Sequence, residues 1–117
     1  MLTVYAYSNC DTCRKAIKRL RAKGTPFTEK PIREQPPSTA GLRRILAAVG
    51  GDVRRLFNTS GQAYRAQGIS ARLAGLNADA AIALLASDGD LCKRPMVLGD
   101  GVALVGFKPE EWEAAGL

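Results

Sequence analysis

Two cysteines three residues apart stand where a short apolar run meets a basic helix, and this boundary constrains the fold most. Residues 2–7 are mostly apolar, β-branched or aromatic, which predicts a buried strand. From about residue 11 to residue 23 the apolar side chains recur at helical spacing: Cys13, Ala16, Ile17 and Leu20. A strand therefore leads through a turn into a helix, with Cys10 in the turn and Cys13 in the first helical turn.

This placement predicts thiol chemistry. A helix N-terminus presents unpaired backbone N–H groups and a partial positive charge, which favour a thiolate over a thiol. We predict that Cys10 is the nucleophile of a redox-active centre and that Cys13 resolves its adduct by forming a disulfide bond. Two alternatives stay open: Cys10 as a buried structural thiol, and Cys13 as a core residue of the apolar stripe.

Composition removes several other chemistries. The chain has no histidine, which excludes Ser/His/Asp and Cys/His activation of a nucleophile. Two cysteines supply only half the ligands of a zinc site, so we expect no metal and no bound cofactor. Three cysteines in 117 residues point to a reducing compartment, and no signal peptide or apolar run of membrane-spanning length is present, so we expect a cytoplasmic protein without membrane contact.

The net charge of +6 is unevenly distributed. Residues 1–72 contain 14 of the 17 Lys and Arg residues but only four of the 11 Asp and Glu residues. The asymmetry indicates a basic face that meets an anion or an acidic protein, or else a solvated surface that keeps the chain soluble. The basic helix contains no interleaved aromatic residues, so we expect no direct binding of nucleic acid.

The rest of the pattern predicts the order β-α-β, a helical block, then β-β-α. Residues 26–32 form the second strand, which a helical crossover makes parallel to the first. Glycine-separated helical segments follow to about residue 87, and a hairpin with its turn at residues 99–101 precedes a last helix that begins near Pro109. We predict one α/β domain, residues 1–117, with a mixed four-stranded thioredoxin-like sheet from about residues 1–37 and 90–117 and a helical insertion at about 38–89.

The chain resembles the arsenate reductase and Spx superfamily over nearly its whole length. Four segments carry the resemblance: Tyr-Ser-Asn-Cys-Asp-Thr-Cys-Arg-Lys-Ala at 7–16, Leu-Phe-Asn-Thr-Ser-Gly at 56–61, Lys-Arg-Pro at 93–95 and Val-Gly-Phe-Lys at 105–108. The resemblance implies a thioredoxin fold with an inserted helical subdomain, and we expect a monomer.

In the glutaredoxin-coupled arsenate reductases, one cysteine attacks arsenate and three arginines hold the oxyanion. Cys10 matches that nucleophile and Arg94 matches the arginine before proline, whereas Asn58 and residues 107–108 stand where the other two arginines fall. The resemblance thus implies a thiol-dependent oxidoreductase with Cys10, Cys13 and Arg94 catalytic and an incomplete set of arginines for arsenate. The implied electron donor is glutathione as co-substrate, glutaredoxin or thioredoxin. The substrate-binding residues that we expect are Asn9, Arg14, Asn58, Ser60, Pro95 and Lys108.

Two further expectations accompany the resemblance. Pro95 would be cis and face the thiols, and Cys92 would be either an inert thiol at a strand entrance or a neighbour of the site. The alternative function is that of a Spx/MgsR-type redox-sensing transcriptional regulator, which binds the RNA polymerase alpha subunit and uses its cysteine pair as a switch. That function ranks second because acidic residues, not a basic tail, follow the last strands: Glu110, Glu111 and Glu113.

Overall fold

The computed structural model describes residues 1–117 and contains four strands, six helices and three 3₁₀ turns. The strands are Leu2–Ala6 (β1), Phe27–Pro31 (β2), Met96–Gly99 (β3) and Val102–Val105 (β4). The helices are Asp11–Ala22 (α1), Thr39–Ala48 (α2), Gln62–Ala66 (α3), Ile69–Arg72 (α4), Ala78–Ser87 (α5) and Pro109–Ala114 (α6). The 3₁₀ turns are Val53–Leu56, Leu73–Gly75 and Gly89–Leu91. None of the helices is long and apolar enough to cross a membrane.

The four strands form one mixed sheet in the order β2-β1-β3-β4. β1 and β2 are parallel, with Ala6 opposite Pro31 at their carboxyl ends. β3 pairs antiparallel with both β1 and β4. The α/β fold class, the thioredoxin-like sheet and its inserted helices are therefore confirmed.

The sheet separates two hydrophobic cores because the side chains of β1 alternate between its faces. Leu2, Val4 and Ala6 pack with the apolar stripe of α1 and with Trp112 of α6. Tyr5 and Tyr7 lie against the other core, which is built mainly from α2, α5 and the segments between them. The helical insertion thus covers one face of the sheet, and the two outer helices cover the other.

Polar side chains cap two helices and one 3₁₀ turn of the insertion. Ser38, Asp52 and Asn77 each accept a hydrogen bond from a backbone N–H two or three residues later, at 3.1, 3.2 and 2.8 Å. These bonds satisfy N–H groups that the first turn leaves without partners. The 3₁₀ turn and the two helices accordingly begin one residue after each cap.

One short contact attaches the insertion to the loop before β3. Phe57 forms an isolated antiparallel bridge with Cys92. On either side, the N–H of Asn58 donates to the carbonyl of Leu91 at 2.8 Å, and the N–H of Lys93 donates to the carbonyl of Leu56 at 2.9 Å. Asn58 is thereby held close to the loop that carries Arg94, although the two are far apart in sequence.

Candidate functional site

Cys10 is the N-cap residue of α1, with an extended backbone (φ −111°, ψ 116°). Its Sγ accepts a hydrogen bond from the backbone N–H of Cys13 at 3.4 Å, so a sulfur atom takes the place of the usual capping oxygen. Its own N–H donates to the carbonyl of Tyr7 at 3.1 Å, which fixes the turn after β1. The Cys10 side chain is partly exposed, and its sulfur therefore combines solvent access with the donors of a helix N-terminus.

Cys13, unlike Cys10, is protected from solvent. Only 1% of Cys13 is exposed, and it packs with Ala16 and Leu20 in the core beneath the sheet. Burial raises the pKa of its thiol to about 12, with smaller contributions from the hydrogen bond and charge of Cys10. Cys13 is therefore a protonated thiol at neutral pH. All three cysteines are free thiols in this structure.

Cys10 opens onto a cleft of about 660 Å³ between the end of β1 and the helical insertion. Four of the residues that the sequence predicts for the site line this cleft: Asn9, Cys10, Asn58 and Arg94. The other lining residues are Tyr7, Thr12, Arg33, Gly61, Gln62, Ala63, Ala66, Asp90 and Lys93. The structure thus brings the proposed nucleophile, an asparagine of the insertion and the arginine before Pro95 into one depression.

Two arginines lie against the ring of Tyr7 inside this cleft. The guanidinium carbon of Arg33 is 5.0 Å from the ring centroid, and that of Arg94 is 5.4 Å away. Arg33 also donates to the Tyr7 hydroxyl at 3.1 Å and forms an ion pair with Asp90. Arg94 donates to the backbone carbonyl of Asp90 at 3.2 Å. Asp90 therefore links both guanidinium groups.

A second cleft, of about 480 Å³, adjoins the first. Three residues line both clefts and form a wall that the clefts share: Thr12, Lys93 and Arg94. Thr12 is only two residues after Cys10 in the sequence. The second cleft also contains Arg54 and Lys108. Its remaining residues are Asp52, Arg55, Phe57, Thr59, Val105, Gly106 and Phe107.

The other predicted site residues do not line the first cleft. Arg14 is exposed and donates to the carbonyl of Ser8 at 2.8 Å and to Asp11 at 2.5 Å. The Asp11 carboxylate raises the pKa of Arg14 in return. Ser60 is exposed on the insertion, and Lys108 lies in the second cleft. Their roles in binding stay predictions.

The peptide bond between Arg94 and Pro95 is cis, as the resemblance implied. Pro95 is buried, and its carbonyl accepts a hydrogen bond from the N–H of Gly106 at 2.8 Å. Cys92 is completely buried, and burial raises the pKa of its thiol to about 12. Its thiol donates to the carbonyl of Leu85 at 3.5 Å, which favours the inert alternative. No group of three or more Cys, Asp or Glu side chains could hold a metal ion.

Four residues that line the cleft were not predicted for the site from the sequence: Tyr7, Arg33, Asp90 and Lys93. For Arg33 a signal was present, because β1 and β2 were predicted to be parallel and parallel strands end at the same edge of a sheet. Arg33 follows β2 as the turn with Cys10 follows β1. Asp90 carried no such signal, since its contact depends on how the insertion returns to the sheet.

Known proteins share this sequence pattern and this fold. The model of the ArsC family matches residues 5–115, which include all residues that line the two clefts. The chain belongs to the ArsC family. Among ArsC proteins of known structure, one from Bacteroides fragilis described as ArsC family related has a TM-score of 0.90 at 38% identity, covering 97% of this chain and 96% of that one. A possible arsenate reductase from Streptococcus mutans has a TM-score of 0.87 at 38% identity, covering 97% and 98%.

Sequence relatives fall into two groups. The Bacillus subtilis protein YusI is 42% identical over 96% of this chain and 95% of its own length. The regulatory protein MgsR of Bacillus subtilis is 24% identical over 94% of this chain and 86% of its own length. A global transcriptional regulator Spx of Lactococcus lactis is 25% identical over 97% of this chain and 85% of its own length. The chain is thus similar both to a protein described as a possible arsenate reductase and to proteins described as regulators.

Proposed function

We propose that this protein is a thiol-dependent oxidoreductase in which Cys10 is the nucleophile and Cys13 the resolving thiol. One observation supports it most: the sulfur of Cys10 caps α1, is reached from solvent and lies in a cleft with Arg94. The substrate is a disulfide, and the Cys10–Cys13 pair supplies the two electrons that reduce it.

The reduction consists of two thiol–disulfide exchanges. The Cys10 thiolate attacks one sulfur of the substrate, the substrate S–S bond breaks, and the departing thiolate takes a proton from water. The thiol of Cys13 then loses its proton to solvent and attacks Sγ of Cys10, which forms the Cys10–Cys13 disulfide and releases the second thiol. An external thiol such as glutathione, or a dithiol protein of the glutaredoxin or thioredoxin kind, reduces that disulfide again.

The environments of the two cysteines support this order of events. Cys13 is buried and holds its proton at neutral pH, so the first attack on the substrate falls to Cys10. The Cys10 sulfur contributes to that raised pKa through its hydrogen bond and charge. Once Cys10 is bound in a mixed disulfide its charge is gone, and Cys13 deprotonates more readily when resolution requires it.

Single-cysteine variants test this proposal. Cys10→Ser should abolish reduction of a disulfide dye, whereas Cys13→Ser should retain the first step and accumulate a mixed disulfide that intact mass spectrometry detects. Cys92→Ser is the matched control and should behave as the wild type. Full activity of Cys10→Ser would refute the assignment of the nucleophile, and unchanged turnover of Cys13→Ser would assign resolution to an external thiol.

Arsenate is expected to be the poorer substrate. Asn58 and Lys108 stand where the resemblance places two arginines, and neither provides the bidentate fork of a guanidinium. A coupled assay with glutathione and glutaredoxin should show faster turnover of disulfides than of arsenate. Faster turnover of arsenate would show that other cations of the clefts complete the oxyanion site.

The similarity to MgsR and Spx favours a second candidate function, a redox-sensing regulator that binds the RNA polymerase alpha subunit. This function predicts that the subunit is retained by the protein in one oxidation state of the Cys10–Cys13 pair. A pull-down with the reduced protein and the oxidised protein tests it. Absence of binding in both states would remove this candidate.

A further inference from the structure

We propose that the second cleft is a subsite for phosphate, and that the thiol that Cys10 releases from a disulfide carries phosphate groups. The proposal rests on the proposed function, because it names the class of disulfide that the same site accepts. It uses Arg54, which the cysteine chemistry leaves unassigned, together with Lys108.

The charges of the two clefts differ once their shared wall is set aside. The residues that line only the first cleft include one cation and one acid, Arg33 and Asp90, and these two form an ion pair. The residues that line only the second cleft include three cations and one acid: Arg54, Arg55, Lys108 and Asp52. The first cleft is therefore close to neutral apart from the shared wall, whereas the second carries an excess of positive charge.

Most of that excess is not neutralised within the protein. Neither Arg54 nor Lys108 forms an ion pair. Arg55 is 3.4 Å from Glu111, at a site where both side chains are about one-third exposed. The Asp52 carboxylate already accepts the N–H of Arg54 as the cap of its 3₁₀ turn. A group bound here therefore meets guanidinium and ammonium donors that are free to turn toward it.

Because the two clefts share a wall, a single substrate can occupy both. Thr12, Lys93 and Arg94 line both, and Thr12 lies two residues after Cys10. The Lys93 side chain crosses directly over Gly106: a β-carbon at Gly106 would lie 3.2 Å from Cε of Lys93. A molecule attached through sulfur to Cys10 can therefore extend past Thr12 and Lys93 into the second cleft.

The excess of cations in the second cleft favours a phosphate group over the carboxylate and ammonium groups of a peptide-like thiol. A phosphate monoester carries between one and two negative charges near neutral pH, and guanidinium groups bind it in a bidentate manner. Glutathione presents two carboxylates and one ammonium, so its net negative charge is smaller than that of a thiol with several phosphate groups, and Arg54, Arg55 and Lys108 would repel its ammonium. A disulfide whose thiol ends in phosphate matches both clefts, with the sulfur beside Cys10 and the phosphate beside Arg54.

The first test compares disulfides that share one reactive arm. Coenzyme A disulfide and pantethine both contain the pantetheine disulfide, but only the former carries phosphate; oxidised glutathione is the third substrate. We expect kcat/KM for coenzyme A disulfide to exceed that for pantethine by about tenfold, mainly through KM. Arg54→Gln should remove most of this preference and leave the reduction of pantethine unchanged. Lys108→Gln should also remove most of the preference. Lys18→Gln, an exposed cation of α1 outside both clefts, is the matched control and should keep the preference.

A second measurement needs no turnover and so separates this inference from the proposed function. Inorganic pyrophosphate should bind the Cys10→Ser variant in a calorimetric titration, and the additional Arg54→Gln change should weaken binding about fivefold or more. Binding without reduction of any disulfide would support the subsite while refuting the oxidoreductase. No binding of pyrophosphate, equal kcat/KM for coenzyme A disulfide and pantethine, or a preference for oxidised glutathione would overturn the phosphate subsite.

Discussion

The contact between Gly89 and the end of β2 gives the sharpest prediction about how the fold holds the site. A β-carbon at position 89 would lie 2.0 Å from the carbonyl oxygen of Ile32 and 2.7 Å from that of Arg33. Both are backbone atoms, so no side-chain rotation relieves the overlap. Ordinary contact begins near 3.4 Å, and Gly89→Ala must therefore separate the two segments by about 1.4 Å.

The size of the effect follows from where the strain falls. Gly89 is buried, and next to it Asp90 pairs with Arg33, so the forced separation loosens packing and disturbs that ion pair. Overpacking of this kind costs about 3 kcal/mol, at the upper end of the usual range. The entropy of unfolding of 117 residues is about 0.25 kcal/mol/K, so the melting temperature should fall by about 12 °C.

Thermal unfolding followed by circular dichroism measures this shift, and the chain provides a matched control. Gly75 lies in another 3₁₀ turn and has no left-handed backbone, and a β-carbon there would have no neighbouring atom within 4 Å. Gly75→Ala should leave the melting temperature unchanged or raise it slightly, because it restricts the unfolded chain. A fall of less than about 3 °C for Gly89→Ala would refute the argument that this backbone contact is tight.

Three further changes test other parts of the structure. Arg33→Gln should lower the rate of disulfide reduction several-fold. The melting temperature should change little, because the Arg33 guanidinium is exposed and its ion pair contributes little to stability. An unchanged rate would show that Arg33 does not contribute to the cleft that it shares with Arg94. Burial raises the pKa of Cys92 to about 12, so from about pH 9 upward the folded protein keeps a proton that the unfolded chain releases, and stability falls as pH rises. Cys92→Ala should weaken that decline in urea melts at about pH 8 and pH 10, and equal declines would contradict the burial argument. Arg19→Gln removes two hydrogen bonds to the carbonyl of Leu117, of 3.0 and 2.7 Å, and should cost about 1–2 kcal/mol by urea melts; no change would show that water replaces them.

Local sequence signals were sufficient to predict the elements of this fold. Short runs of apolar and β-branched residues predicted the strands, and glycine-separated helical segments were predicted where α2 and α5 lie. The errors at strand and helix ends are one or two residues; α1, for example, ends at Ala22 instead of Lys23. These elements are predictable because short-range hydrogen bonds and the periodicity of apolar side chains determine them.

The arrangement of the site depended on contacts that no local pattern encodes. Cys10 is the cap residue before α1 and Cys13 lies on the apolar stripe of α1, so the partial exposure of the first and the burial of the second follow from the local pattern. Arg54, by contrast, belongs to a four-residue 3₁₀ turn, too short for its periodicity to show which way a side chain points. That direction is determined when the bridge between Phe57 and Cys92 joins the turn to the loop before β3.

The loop of residues 90–94 explains why one structural element serves both clefts. Three contacts hold this loop. Asp90 pairs with Arg33 at the end of β2, and Cys92 forms a bridge with Phe57 of the insertion. Just after the loop, the carbonyl of Pro95 accepts a hydrogen bond from the N–H of Gly106. The cations of the loop, Lys93 and Arg94, form the wall between the clefts. Movement of this loop therefore changes both clefts together, whereas substitution of Arg54 changes only the second. If the two clefts bind the two ends of one substrate, loop variants should impair every disulfide, and Arg54 variants only those that carry an anionic group.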